Sequence, residues 1–288
     1  MEIIYTRNSQ DVAKAVAQEL SWTASPANVR CFNNREICVS LEKSFRNCLV
    51  LTSTTNHDEW VELFLLLDAL RNAKKIILCL TYMGYSRQDR QLENESFGAD
   101  LWMRLLETMN ISHCLILDNH CEPMLRIPTH HMSARKIFEM DIRSKYKSDQ
   151  IAVVSPDLGG VYRADLLAKS LGCGFAICNK TKNVFGELKK MYKLGDVAGK
   201  ICLLLDDMVD SGATLCRAAE ILMESGAAGV VAYCTHGVLS AGSWKKLEKS
   251  ALTEIVLTDS IAHQPPLTGK FRKLSITSLI AETIRCIL

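Results

Sequence analysis

The stretch Cys202–Ala227, CLLLDDMVDSGATLCRAAEILMESGA, decides the fold. Five apolar residues, Ile201–Leu205, run straight into Asp206 and Asp207. Apolar runs of this length read as buried parallel strands, and the Ala/Leu/Glu-rich segment after Thr214 reads as a helix. Two acids thus stand at the mouth of a buried strand. Asp210, Ser211, Gly212, Ala213 and Thr214 stand where the next helix begins.

Outward from this unit the same alternation repeats. NCLVLTS precedes the helical WVELFLLLDALRNA, KKIILCLTYM leads through a polar segment to GADLWMRLLETMN, and HCLILDNH follows. A second series holds IAVVSPDLGG, the helical VYRADLLAKSLG, GFAICNK, the opening stretch, GVVAYCTHG and EIVLTDS. Strand–helix alternation of this kind predicts α/β architecture with parallel sheets covered by helices on both faces. The polar FEMDIRSKYKSDQ, residues 138–150, is the best boundary. Two doubly wound domains are expected, 1–142 and 143–288.

Bulk properties narrow the function. The 288 residues carry 34 Lys+Arg against 32 Asp+Glu, a near-balance that argues against a general nucleic-acid surface. Hydrophobic residues make up 48%, and no apolar run approaches the roughly 20 residues of a membrane span. MEIIYTRNSQ has neither a basic n-region nor a long apolar core, so no signal peptide is expected. The 12 cysteines are scattered without a CxxC pair, which reads as reduced thiols of a cytoplasmic protein.

In doubly wound sheets ligands bind outside the carboxyl ends of the strands. Residues 211–214 offer backbone N–H groups and two hydroxyls at a helix N-terminus, an anion site. A Walker P-loop is excluded, since its spacing and lysine are absent. A Ser or Thr before a helix also serves as a plain cap. The adjacent acids shift the balance, because two neighbouring carboxylates are costly near a buried strand end unless something accepts them. A sugar diol beside a bound phosphate would do so.

LLLDDMVDSGAT resembles the phosphoribosyl-pyrophosphate motif of the type I phosphoribosyltransferase-like fold, and nearly the whole chain resembles the ribose-phosphate pyrophosphokinase family. GYSRQDR (84–90), LDNHCE (117–122), SPDLGGVYRA (155–164) and YCTHG (233–237) carry the resemblance elsewhere. It implies transfer of the diphosphoryl group of ATP to the C1 hydroxyl of ribose 5-phosphate, with Mg²⁺ as cofactor. It also implies an ATP side in 1–142, a ribose 5-phosphate side in 143–288, and a homo-oligomer, a dimer at least, with hexamers typical of many members. No nucleic-acid or membrane partner is expected.

Residue by residue, the resemblance implies ATP contacts from Arg87, Gln88, Asp89, Arg90 and His120, completed by Phe32, Asn34 and Glu36 of a neighbouring subunit. It implies metal binding by His120 and Asp157, largely through water. Asp157, Leu158, Gly159 and Gly160 match the diphosphate loop, and Asp206, Asp207, Asp210, Ser211, Gly212, Ala213 and Thr214 match the ribose 5-phosphate cradle. Lys180 and Lys182 fall in the basic segment that the family uses as a mobile catalytic loop. His120 read without its motif is an ordinary strand-end histidine, and the spacings of His113, Cys114, His120, Cys121, His130 and His131 fit no structural zinc pattern.

The chain departs from the family at Lys182, where an arginine is usual, and at Asn179 and Asn34, each in place of aspartate. It also departs at Ala213, in place of glycine, and in CEPMLRIPTHHM after His120. Lysine keeps the charge of arginine but not its bidentate fork. Two alternatives follow: a catalytically weak regulatory relative, or a phosphoribosyltransferase that consumes phosphoribosyl pyrophosphate.

Overall fold

The computed structural model describes residues 1–120, 126–182, 188–263 and 269–288, and side chains other than those of 179–193. Two compact units divide the chain. The first is Met1–Ser133 with Ser260–Ala262 and Ser275–Leu288, and the second is Ala134–Asp259 with His263–Leu274. The expected change at 142/143 would cut a helix that lies whole in the second unit. Residues 138–150 read as a polar boundary because only Phe138 and Ile142 of that helix are buried.

The first unit contains β1 (Glu2–Tyr5), α1 (Gln10–Leu20), β2 (Thr23–Pro26), β3 (Asn28–Cys31), β4 (Ile37–Ser40), β5 (Asn47–Thr54), α2 (His57–Ala69), β6 (Lys75–Met83), α3 (Gly98–Glu107), β7 (His113–Leu117) and β8 (Thr129–Met132). Its six-stranded sheet runs β2-β1-β5-β6-β7-β8 with every pair parallel. Cys48, Val50, Ile76, Leu78, Leu80 and Ile116 pack under Trp60, Leu63 and Leu67 of α2 and Met103 and Leu106 of α3. Their neighbours Leu49, Leu51, Ile77, Cys79 and Leu115 are equally buried and by strand alternation serve the other face. Burial on both faces explains why these strands read as continuous apolar runs. Burial also pushes the thiols of Cys48 and Cys79 up to about 12, which keeps them unreactive.

The second unit contains α4 (Arg135–Lys145), β9 (Ile151–Ser155), α5 (Val161–Leu171), β10 (Gly174–Lys182), β11 (Leu188–Leu194), β12 (Ile201–Val209), α6 (Ala213–Glu224), β13 (Gly229–Gly237), α7 (Ser243–Glu248), β14 (Glu254–Thr258) and β15 (Phe271–Leu274). α8 (Thr277–Ile287) then returns to the first unit, where Arg285 donates to the Glu19 carbonyl at the end of α1. The seven-stranded sheet runs β11-β10-β9-β12-β13-β14-β15. Its only antiparallel pair among the described residues is β10 with β11. Val154, Leu204, Ala232 and Cys234 face α6, while Val153, Leu203, Leu205 and Val231 face α4 and α5. The expected two doubly wound parallel sheets are therefore both present. No helix among the described residues is long and apolar enough to cross a membrane.

Two sequence expectations need correction. The acids do not follow the strand: β12 continues through Asp206 and Asp207 to Val209, held by β13 with Asp206 opposite Cys234 and Met208 opposite His236. Its pairing with β9 ends at Leu204, so the acids occupy strand backbone with one edge released. The basic segment after Asn179 is also not simply a loop. β10 extends to Lys182 and pairs with β11, with a register shift between Thr181 and Lys182.

Candidate functional site

In the second unit the direction of winding reverses between β9 and β12. From β9 the chain passes through α5 to β10 on one side, and from β12 through α6 to β13 on the other. The carboxyl ends of two such neighbours form the crevice where doubly wound sheets take ligands. Residues 157–160 follow β9 there, and residues 206–214 close and follow β12. A Cβ on Gly160 would lie 3.0 Å from Ser155 Oγ and 3.7 Å from the Leu205 carbonyl oxygen, so the end of the first loop lies against the β12 backbone just before the acids.

The first loop is folded around Asp157. Ser155 Oγ donates to the Asp157 carbonyl (2.6 Å), and Asp157 Oδ1 accepts from the N–H groups of Gly159 (3.0 Å) and Gly160 (3.3 Å). The amides expected to hold a diphosphate are thus given to this carboxylate. Leu158 stands out at 62% exposure.

The second loop leaves β12 with Asp210 Oδ1 accepting from Ser240 N–H (3.2 Å). Gly212 then takes φ +70° as the N-cap of α6, with no side-chain cap bond. A Cβ there would come within 2.7 Å of Leu247 Cγ, so both its conformation and its neighbour require glycine. Ser211 precedes the cap, and its Oγ accepts a long bond from Ala213 N–H (3.4 Å).

Between the loops lie the two acids. Asp207 is buried and Asp206 partly exposed, and Asp207 N–H donates to Asp206 Oδ1 (3.0 Å). Arg163 Nη1 lies 3.4 Å from Asp207 Oδ1 and 3.9 Å from Asp206 Oδ1. Burial, and then the Asp207 carboxylate, push the Asp206 carboxyl well above the ordinary range; Asp157 adds to this and Arg163 opposes it. Sequence reasoning gave Arg163 no role. The signal was present, since a cation in the first turn of a helix opposes the helix dipole and calls for a compensating acid.

In the first unit, residues 32–36 form the tip of the β3–β4 ribbon. Phe32 N–H donates to the Glu36 carbonyl (2.8 Å), Arg35 N–H to the Phe32 carbonyl (2.9 Å), and Asn34 Oδ1 accepts from Glu36 N–H (3.2 Å). Arg35 takes φ +71° to close the turn. All five residues are exposed, with the Arg30 guanidinium 4.8 Å above the Phe32 ring. Arg87, Gln88, Asp89 and Arg90 follow the carboxyl end of β6. Gln88 accepts from Ala99 N–H through its backbone (3.1 Å), and the amide end of its side chain lies over Gly98 at the start of α3. Arg87, Gln88 and Arg90 are exposed, and Asp89 lies 3.7 Å from Arg90. His120 follows the carboxyl end of β7, exposed, after a turn at Asp118 with φ +33°. His120 thus belongs to the first unit and Asp157 to the second. Cys121 and Glu122 lie outside the described residues, as do the side chains of Asn179, Lys180 and Lys182.

Among the described residues no three His, Cys, Asp or Glu side chains are arranged to hold a metal ion. The carboxylates of Asp157, Asp206 and Asp207 are oxygen donors of the kind Mg²⁺ takes one or two at a time, with waters and phosphate oxygens completing its shell. The charge of Asp157 bears on Asp206 beside that of Asp207, and Arg163 opposes both.

Two family models match the chain. One, described as the N-terminal domain of ribose phosphate pyrophosphokinase, matches residues 1–109, and the other, a phosphoribosyl synthetase-associated domain, matches residues 180–288. A ribose-phosphate pyrophosphokinase of Brucella melitensis is 39% identical over 99% of this chain and 96% of its own length. One from Agrobacterium fabrum is 37% identical over the same shares. The crystal structure of phosphoribosylpyrophosphate synthetase from Mycobacterium smegmatis superposes with a TM-score of 0.91 at 32% identity, covering 100% of this chain and 99% of that one.

Proposed function

Since the chain belongs to the ribose-phosphate pyrophosphokinase family, we propose that it transfers the β,γ-diphosphoryl group of ATP to the C1 hydroxyl of ribose 5-phosphate. The C1 oxygen bonds to the β-phosphorus and gives up its proton. The bond from that phosphorus to the α,β-bridging oxygen breaks, and AMP departs with that oxygen. The products are AMP and phosphoribosyl pyrophosphate.

One observation carries this reading: the Asp206–Asp207 pair held beside the 210–214 loop at the winding reversal of the second unit. The two carboxylates accept hydrogen bonds from the ribose hydroxyls, and the loop and the start of α6 receive the 5-phosphate. Phosphoryl transfer is largely positioning and charge neutralisation. Asp157 and Gly159–Gly160 serve the diphosphate, with the amides now on Asp157 Oδ1 released to phosphate oxygens. Mg²⁺ would neutralise phosphate charge when bound, with His120 and Asp157 each serving as a ligand on its own unit. Arg87, Gln88, Asp89 and Arg90 bind ATP, and Lys180 and Lys182 stabilise the developing charge on the transferred group.

Phe32, Asn34 and Glu36, exposed at a ribbon tip, complete the ATP site of a second copy, so the working enzyme is a homo-oligomer, at least a dimer. Its place is the cytoplasm. Incubation of the purified chain with ATP, ribose 5-phosphate and Mg²⁺ tests the proposal. AMP should appear only when both substrates are present, in step with phosphoribosyl pyrophosphate. Release of ADP, or AMP release independent of ribose 5-phosphate, overturns it.

A further inference from the structure

Arg163 is the third residue of α5, a position where the positive end of the helix dipole disfavours a cation. No acidic residue stands in that first turn to offset it. The side chain is folded inward instead, 27% exposed, with Nη1 at 3.4 and 3.9 Å from the two acids of β12. Those acids come from consecutive residues of one strand. Alternation turns consecutive side chains to opposite faces, yet one guanidinium nitrogen lies within 4 Å of both. The approach is a charge contact from one nitrogen, not a bidentate fork.

We propose that Arg163 is a positioning residue for the sugar, holding Asp206 and Asp207 side by side so that both accept hydrogen bonds from the ribose hydroxyls. The inference rests on the reading of this crevice as the ribose 5-phosphate site. It assigns Arg163 no contact with either substrate. Left without a cation, two adjacent buried carboxylates share a proton. A protonated carboxyl then accepts less well and turns its O–H toward its neighbour instead of the ligand. Burial and Asp207 already push the Asp206 carboxyl up, and Arg163 opposes them.

The test compares wild type with Arg163→Ala, Arg163→Gln and Arg163→Lys. Steady-state constants for both substrates, ribose 5-phosphate binding by calorimetry and thermal melting are read for each. Weakening the charge-assisted hydrogen bonds of the pair should raise the KM for ribose 5-phosphate by about tenfold or more in the Ala and Gln variants. The KM for ATP should move less than about twofold, because the acids serve only the sugar. Arg163→Lys should recover most of the sugar affinity, since a point charge suffices where no fork is used. If Arg163→Ala does not fold, the Gln and Lys pair carries the comparison.

Equal loss toward both substrates, or a fall in kcat alone, overturns the proposal. So does a Lys variant as poor as Ala at an unchanged melting temperature, which would mean that the guanidinium grips phosphate directly. Failure of the wild type itself to release AMP with ribose 5-phosphate removes the underlying reading, and this inference with it. An active wild type with an unaffected Arg163→Ala removes the inference alone.

Discussion

Gly212→Ala tests how rigidly the phosphate-side loop is held. Two costs can be read from the structure. A Cβ at φ +70° meets the left-handed penalty, about 1–2 kcal/mol for an L-residue. The same Cβ would lie 2.7 Å from Leu247 Cγ and 2.8 Å from its Cδ2, and Leu247 is fully buried in the α6 core. Overpacking of this kind costs about 1–3 kcal/mol. The sum is about 2–5 kcal/mol. Gly172 and Gly199 provide internal controls, since φ is +66° and +69° there and nothing lies within 4 Å of the added atom. Alanine at either carries the backbone penalty alone, and the loss of unfolded-state freedom is common to all three. Urea unfolding at constant slope should therefore show Gly212→Ala to be less stable than Gly199→Ala by about 1–3 kcal/mol. The loop must also shift to relieve the clash, so the KM for ribose 5-phosphate should rise in Gly212→Ala and stay put in Gly199→Ala. Equal stability of the two variants, with unchanged KM, would show that the Leu247 contact does not fix the loop.

Two further outcomes are expected. Arg272 binds Asp141 through both Nη atoms (2.8 and 2.6 Å) and Glu254 through Nε (2.6 Å), while Tyr233 donates to Asp141 (2.7 Å). Burial works to raise both carboxyls, but these bonds prevail and hold Asp141 and Glu254 below their ordinary values. Groups depressed in the folded state stabilise it above the ordinary carboxylate range, near about 4, and that stability is lost as pH falls through the lower folded value. Melting temperatures should accordingly drop more steeply below about pH 4 in wild type than in Asp141→Asn, and parallel curves would deny the network this role. On β10, Lys180→Ala should cut AMP release by about 10²–10³ with ATP affinity nearly unchanged. Lys182→Arg should hold or raise activity by restoring the planar fork, and a flat response to both changes would remove the pair from the mechanism.

The parallel strands were legible because both their faces are buried, so Leu49–Leu51, Ile76–Leu80 and Cys202–Leu205 had to be apolar throughout. Elements with one wet side left no such mark. α4 carries Asp141 and Lys145 for ion pairs and buries little else, so its sequence resembled a linker. The edge strands Thr129–Met132 and Leu188–Leu194 are polar or lysine-rich. Aspartate is depleted in strands, and only pairing with β13 carries β12 past Asp206 and Asp207. Residue types in the candidate site could be named in advance because strand ends and helix starts gather ligands in this architecture. The contact of Arg163 with the acids depends on how α5 is placed over the sheet, which no local pattern encodes.

The return of α8 to the first unit constrains how the molecule can be made. Residues 275–288 complete that unit, yet the whole of the second is encoded between them and Ser133. On the ribosome, 133 residues of the first unit therefore emerge without the helix that covers part of their sheet, and they wait while the second unit is translated. A nick or stop codon near residue 274 would spare every residue proposed to touch a substrate and still leave an apolar face of the first unit bare. In this chain, a segment translated after the whole of the second unit is a condition for the first domain to be finished.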